Sequence, residues 1–178
     1  MKYLNSKEVS NGNYRYELSR VWDLKKEPIV VIMCNPSSEH TEKDDSIIRK
    51  LTMILDEHGY GEMVIVNFFA YKSLYPGLLT NIEEKEAIGP YNDYFIDGIL
   101  RNELDVLVAW GNFGKRYEKR EKEILSKIKG LKVFCLGKNK NGTPKHPVSI
   151  SYGTKLVPYF EKEKITKEQT NEKTCIKI

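Results

Sequence analysis

Two asparagines and one histidine are the residues of this chain whose types and positions most favour chemistry. Asn35 and Asn67 each follow a continuous apolar run, and His146 lies next to Pro147 in the segment 144–147, which has proline at both ends. A side-chain amide has one acceptor and two donors, so it can position a water or recognise the edge of a base. A histidine restrained by proline suits a positioned acid, base or anion stabiliser. The alternatives are turn caps for the asparagines and a solvent-exposed loop position for His146.

Aromatic and basic side chains elsewhere in the chain suggest how a nucleotide would be held. Stacking of a base on an aromatic ring is worth about 1–3 kcal/mol, and the candidates for that role are Phe68, Phe69 and Tyr71. Because adjacent side chains alternate, we expect one ring of the Phe68–Phe69 pair to point into the core. The charged run from Lys115 to Lys127 carries both signs and is interpreted as a solvated helix face. Candidates for phosphate binding are Arg49, Lys72, Lys138, Lys140 and Lys145.

Four apolar runs predict the strands that position these residues. The strands are expected at Ile29–Cys34, Glu62–Asn67, Asp105–Trp110 and Lys132–Leu136. Continuous runs of this kind are typical of strands that are buried on both faces of a parallel sheet. Helical periodicity recurs between them, and helices are expected at residues 47–55, Asn92–Arg101 and Gly114–Lys129. Ligands of such sheets bind outside the carboxyl ends of the strands, where Asn35, Asn67, Gly111 and the loop 137–146 emerge.

The alternation of strands and helices predicts an α/β fold. Right-handed crossovers then place helices on both faces of a central, mostly parallel, four-stranded sheet, which gives a three-layer α/β/α sandwich. A further extended segment is expected at Tyr14–Trp22, and short helices at Ile82–Ala87 and Thr154–Phe160. We expect one domain over residues 1–160 and a charged C-terminal tail over residues 161–178.

Composition narrows the class of protein. A chain of 178 residues with 40% hydrophobic residues is long enough to form one core without disulfides or metals. The polar N-terminus and the absence of a long apolar run disfavour secretion and membrane insertion. Three cysteines without CxxC spacing indicate a reducing compartment, so a cytoplasmic location is expected. The chain lacks GxGxxG, Walker A, HExxH and GxSxG motifs, and neither a metal nor a cofactor is expected.

Several short motifs in combination resemble the DUF1643 family of bacterial and phage proteins. The resemblance spans about Tyr14 to Ile150, and the family has no settled activity to carry over. The motifs are Tyr14-Arg15-Tyr16-x-Leu18-Ser19-Arg20-x-Trp22-Asp23, Asn35-Pro36-Ser37, Asp45-x-x-Ile48-Arg49, Gly59-Tyr60-Gly61, Val66-Asn67-Phe68-Phe69-Ala70-Tyr71-Lys72, Gly89-Pro90-x-Asn92-Asp93, Ala109-Trp110-Gly111, and Leu136-Gly137 through His146-Pro147.

The layout is in turn similar to the uracil-DNA glycosylase superfamily. That superfamily has a four-stranded parallel sheet between helices, a first motif ending in Asp/Asn-Pro and a late His-Pro-Ser-like motif. The resemblance implies that Asn35 positions the attacking water, Asn67 recognises the base, Phe68 or Phe69 stacks on it, and His146 stabilises the departing base. The chain departs from the superfamily pattern in three ways. Met33-Cys34 replaces the usual glycine-containing lead into the first motif, the serine is not directly after proline in the late motif, and the iron-sulfur cysteines are absent. Asn35 is neutral, and the sequence leaves open whether Asp44 or Asp45 supplies a carboxylate.

Three hypotheses for the function follow. The first is an N-glycosidase that excises a base from DNA, with Asn35 and His146 as catalytic residues. The second is a protein that binds or sequesters a nucleotide without turnover, for example in phage-host conflict. The third is a protein-interaction module that retains only the fold. The expected partner is a nucleic acid or a free nucleotide, with no membrane partner, and the oligomeric state stays open.

Overall fold

Seven strands form one mixed β-sheet in the computed structural model, which describes residues 2–37, 46–74, 76–112 and 117–160. The candidate carboxylates Asp44 and Asp45 and the predicted tail, 161–178, lie outside the described residues. The strands are β1 (Asn5–Asn11), β2 (Tyr14–Val21), β3 (Glu27–Met33), β4 (Tyr60–Asn67), β5 (Asp105–Val108), β6 (Val133–Cys135) and β7 (Val157–Pro158). The helices are α1 (Ser46–Glu57), α2 (Glu84–Ile88), α3 (Asn92–Leu100) and α4 (Glu118–Lys127), with 3-10 helices at Pro76–Asn81 and Pro147–Ser149.

The strand order in the sheet is β1-β2-β4-β3-β5-β6-β7. The four central strands β4, β3, β5 and β6 run parallel to one another, and they correspond to the four predicted strands. The α/β class is therefore confirmed. The four-stranded sheet is corrected to seven strands, because β1 and β2 add an antiparallel hairpin at one edge and β7 adds a short antiparallel strand at the other.

Apolar residues bury both faces of the central strands. On β3, Ile29 and Val31 pack with α1, whereas Val30 and Ile32 pack on the opposite face against residues of α3 and α4. The period of two along a strand explains this division, since successive side chains point to opposite faces. None of the helices in the described part of the chain has the length and apolarity that crossing a membrane requires.

The edges of the sheet are where the sequence predictions fail. Strand β1 was not expected, because its sequence NSKEVSN is polar and mostly exposed; its pairing with β2, in which Tyr14–Trp22 was correctly expected to be extended, forms it. The helix expected at Thr154–Phe160 is wrong. Val157 and Pro158 instead pair with β6 as an edge strand, a position that tolerates proline because one side of the strand needs no donor.

Candidate functional site

A crevice of about 530 Å³ opens at the carboxyl ends of β3, β4 and β5. The connection from β3 runs through α1 to β4 on one side, and the connection from the neighbouring strand β5 runs through α4 to β6 on the other side. A doubly wound sheet binds ligands at the point where the connections diverge in this way. The crevice brings together Asn35, Asn67 and His146, as the direction of the strands predicted. Its described lining residues are Arg15, Met33, Cys34, Asn35, Ser37, Ser46, Ile47, Ile48, Ile65, Asn67, Ser73, Leu74, Gly111, Asn112, His146 and Val148.

Asn35 lies just beyond β3, where Pro36 restricts the backbone and ends the strand. Its side-chain nitrogen donates to the backbone oxygens of Pro36 at 3.1 Å and Ser73 at 2.9 Å. Because both partners are carbonyls, the orientation of the amide is fixed, and the nitrogen must face them. Asn35 therefore presents only an acceptor, Oδ1, for other interactions in the crevice.

Asn67 ends β4 and differs from Asn35 in the hydrogen bonding of its side-chain amide. The residue is only 3% exposed, lines the crevice, and its side-chain amide forms no hydrogen bond with any described residue. Neither the oxygen nor the nitrogen of this amide is among the fully enclosed polar atoms of the described residues that lack a partner, so both are open to a molecule in the crevice. The one acceptor and two donors of this amide are therefore the most plainly ligand-directed groups in the described part of the crevice.

Two buried side chains from the helices hold the backbone at Asn67. The Asn92 amide of α3 donates to the backbone oxygens of Asn67 at 3.0 Å and Phe68 at 2.9 Å. Arg120 of α4, only 1% exposed, donates from Nε to the Phe68 oxygen at 3.0 Å and lies within ion-pair distance of Asp93 and Glu123. Both α3 and α4 thus fix the end of β4 by polar contacts.

His146 caps the second 3-10 helix, and this contact selects one tautomer of its neutral ring. Its Nδ1 accepts a hydrogen bond from the backbone N–H of Val148 at 3.2 Å. A nitrogen that accepts carries no proton, so the neutral imidazole bears its proton on Nε2 and donates from there. Lys50 of α1 secures this turn, because its Nζ donates to the backbone oxygens of Pro147 at 3.0 Å and Ile150 at 2.9 Å.

Arg15 is a crevice residue that the sequence analysis did not select. Opposite Val9 and Ser10 the register of β2 skips Tyr16, which is the signature of a β-bulge. The extra residue changes which face a side chain takes, so Arg15 joins Leu18 on the α1 side of the sheet while Tyr16 stacks on Phe95 of α3. The sequence offers only the alternation of side chains along a strand. Strict alternation would place Arg15 and Leu18 on opposite faces, so it does not predict Arg15 in the crevice.

The expected stacking platform does not line the crevice. Phe68 and Phe69 are each 1% exposed and belong to the core; their ring centroids lie 4.7 Å from those of Trp110 and Tyr117, respectively. The expectation that one of them stacks on a base is therefore corrected, because the chain turns inward after Asn67 and buries both rings. Tyr71 packs edge-on against Tyr14 at 5.7 Å, away from the residues that line the crevice.

The candidate phosphate-binding residues are dispersed. Lys72 donates to the backbone oxygen of Gly12 at 3.1 Å, which ties it to the β1–β2 turn. Arg49 is exposed on α1, next to the crevice residue Ile48. Lys138 and Lys145 flank the loop that leads into His146, with Lys138 Nζ 5.1 Å above the Tyr159 ring. Of the candidates, Lys138, Lys140 and Lys145 belong to the loop that leads into the crevice wall, whereas Arg49 and Lys72 do not.

Titratable groups in the crevice are few. Burial raises the pKa of the Cys34 thiol, so this crevice residue stays protonated at neutral pH. None of the described lining residues is Asp or Glu, and no group of three or more His, Cys, Asp or Glu in the described ranges is placed to hold a metal. A second depression, of about 570 Å³, is lined mainly by charged residues of and around α2 and contains none of the predicted site residues.

These features define an α/β protein with a polar crevice at the carboxyl ends of its parallel strands. Residues 15–148 match the family model described as "Protein of unknown function (DUF1643)", so the chain belongs to that family. The family resemblance in the sequence is thereby confirmed. No curated protein and no solved structure matches the chain, so none of them supports the similarity to the uracil-DNA glycosylase superfamily.

Proposed function

We propose that the crevice binds a nucleobase and that the protein is an N-glycosidase of the uracil-DNA glycosylase type. The observation that carries the proposal is the Asn67 amide, which belongs to a nearly buried residue of the crevice lining and has no hydrogen-bond partner among the described residues. A carboxamide pairs an acceptor with adjacent donors, and this arrangement complements the edge of a base. The four central parallel strands between helices also agree with the layout of that superfamily.

Asn35 and His146 supply complementary groups for cleavage of the N-glycosidic bond. Oδ1 of Asn35 accepts a hydrogen bond from a water and directs the water oxygen at the sugar carbon. As the new C–O bond forms and the C–N bond breaks, the base leaves with the electron pair and takes up the proton that the water releases. The Nε2–H of His146 stabilises the charge that develops on the departing base.

Nucleotide binding without turnover is the second candidate, and a specific observation favours it. Asn35, the group assigned to position the water, carries no charge, and the described lining of the crevice contains no carboxylate. Neutral Asn35 activates water less than a carboxylate does. The same side chains would then recognise a base without cleaving its bond to the sugar.

Mass spectrometry of small molecules released from DNA tests the first proposal. The panel contains normal, deaminated and phage-modified DNAs, each treated with the wild-type protein, Asn35→Ala, His146→Ala or the control Asn102→Ala. Asn102 is exposed beyond α3 and far from the crevice lining. We expect the wild type and the control to release a base, and each crevice variant to be slower by about 10²-fold or more.

The contrary outcome separates the two candidates. Absence of released base from every DNA rejects the N-glycosidase, and calorimetry with mononucleotides then tests binding. Asn67→Ala should weaken that binding about 10-fold to 100-fold, because a good pair of base contacts contributes about 1–3 kcal/mol. Equal affinity of wild type and Asn67→Ala would reject base recognition in the crevice.

A further inference from the structure

The C-terminal quarter of the described chain, residues 124–160, is strongly basic. The whole chain has 29 basic and 25 acidic residues, yet residues 124–160 contain no Asp or Glu. Such a one-sided distribution of charge is the feature by which a polyanion-binding surface is recognised. The lysines of this segment are Lys127, Lys129, Lys132, Lys138, Lys140, Lys145 and Lys155.

The lysines of this segment differ in their ion pairing. Lys127 and Lys132 are neutralised by Asp97 and Asp105, each at 2.6 Å. The loop 137–146, which we call the basic hairpin, carries three more lysines, at positions 138, 140 and 145. In the described part of the chain no carboxylate forms an ion pair with Lys138, Lys140 or Lys145, so their charge is available to a partner.

The backbone of the basic hairpin is ordered by its own hydrogen bonds. Lys145 N–H donates to the Gly137 oxygen and Asn139 N–H to the Thr143 oxygen, each at 2.8 Å, and Lys138 bridges to Pro144. Gly137 opens the hairpin with φ +105°, a conformation that side-chain-bearing residues rarely adopt. The lysines are therefore presented on a scaffold that binding need not order.

The basic hairpin adjoins the crevice. At its tip, Asn141 Nδ2 donates to Oδ1 of the crevice residue Asn112 at 3.0 Å, and its last residue is His146. Lys138 pairs with Pro144, so Lys145, one residue further on, projects to the opposite side of the hairpin. Lysines on opposite sides do not converge on a single phosphate and instead suit successive phosphates of a chain.

An exposed aromatic side chain lies near the same wall. Tyr152 is 57% exposed, and its ring lies 5.4 Å from Nζ of Lys50, the residue that holds the Pro147 turn. Basic groups beside exposed aromatic rings favour single-stranded nucleic acid, whose bases are free to stack. An acidic protein surface offers nothing for the ring to stack on, so it fits this wall less well.

We propose that the basic hairpin binds the sugar-phosphate backbone of a single-stranded nucleic acid and directs one base into the crevice. The placement of a base in the crevice rests on the proposed function. The binding of phosphates by the basic hairpin does not depend on it. If the hairpin binds successive phosphates, the base in the crevice belongs to a nucleic-acid strand and not to a free nucleotide. The lysines act through charge, so binding must weaken with salt.

Fluorescence anisotropy with a short labelled oligothymidylate, measured over a series of KCl concentrations, tests the hairpin. The test variant is Lys138→Ala/Lys145→Ala, and the matched control is Lys119→Ala/Lys122→Ala on α4, which removes the same charge from a mixed-charge surface. We expect the test variant to lose affinity and its salt slope to fall by about 1.4, since each phosphate contact contributes about 0.7. The control should match the wild type.

Three results would overturn the hairpin proposal: no strand binding by wild type, equal loss in both double variants, or equally effective competition by polyglutamate. Equal competition by polyglutamate would show that the hairpin does not distinguish a nucleic acid from an acidic polypeptide. Asn67→Ala separates this proposal from the proposed function, because we expect it to keep most of the strand affinity and the full salt slope. If the lysine variant loses oligonucleotide binding while the wild type neither releases a base nor binds a nucleotide, that result would support the hairpin proposal and reject base binding in the crevice.

Discussion

Asn35 and Asn67 are the same residue type at the ends of adjacent parallel strands, yet the protein uses them differently. The Asn35 amide donates both hydrogens to backbone carbonyls of the loops beyond β3 and β4. The Asn67 amide has no protein partner in the described ranges, although its residue is almost fully buried. The comparison indicates that Asn35 contributes to the structure of the crevice and presents one acceptor, whereas the donors and the acceptor of the Asn67 amide are not used by the described residues.

The largest expected effect comes from the residue that holds Asn67 in place. Asn92→Ala removes one donor from each of the Asn67 and Phe68 carbonyls. Although Arg120 still donates to Phe68, the loss of these buried hydrogen bonds costs about 1–3 kcal/mol of unfolding free energy. Urea unfolding measures this loss. Asn102→Ala, beyond the opposite end of α3, is the control and should stay within about 0.5 kcal/mol of wild type. Equal stability of both variants would show that Asn92 does not position the end of β4.

A direct contrast of the two asparagines gives the next effect. Asn35→Ala should lower the unfolding free energy by about 1–2 kcal/mol, because two partly buried hydrogen bonds are lost. Asn67→Ala loses no hydrogen bond and should change stability by less than about 0.5 kcal/mol. Paired urea titrations measure both variants. Destabilisation of Asn67→Ala equal to that of Asn35→Ala would break the comparison, since it would reveal a structural role for the Asn67 amide.

The smallest effect is a pH dependence that arises beside Asn35. Burial keeps the folded-state pKa of Cys34 above that of an unfolded thiol, about 8.5. The unfolded chain therefore loses this proton first as the pH rises, and the folded state loses about 0.8 kcal/mol of stability by pH 9. Unfolding at pH 7 and pH 9 measures the decline. Cys34→Ala should reduce the decline by that amount, and an unchanged decline would exclude Cys34 as its source.

The central part of the fold was predictable because its physical cause is local. Continuous β-branched runs such as Ile29–Cys34 indicate strands buried on both faces, and the carboxyl ends of such strands meet at one edge. Asn35, Asn67 and His146 were therefore expected together from strand direction alone. The edges of the sheet were less predictable, because β1 is polar and β7 exists only through pairing with β6.

The roles of individual crevice residues depended on tertiary contacts that the sequence does not display. A bulge at Tyr16 directs Arg15 to the crevice, and bulges have no fixed sequence pattern. Phe68 and Phe69 follow the strand end where a ligand platform was expected, but the core on the α3 and α4 side takes both rings. Lys50 acts through carbonyls 97 and 100 residues away, so no local pattern identifies it.

The long separation in sequence between Lys50 and its partners also determines when the crevice can form during synthesis. The strands that carry Asn35 and Asn67 are complete once residue 67 has been synthesised, but the wall that carries His146 docks on α1 only after Ile150 is available. Loop closure over such a distance is slow relative to local pairing. During synthesis, therefore, the strands that end at the two asparagines precede the crevice, and a chain that stops before this turn has both asparagines but no His146 wall.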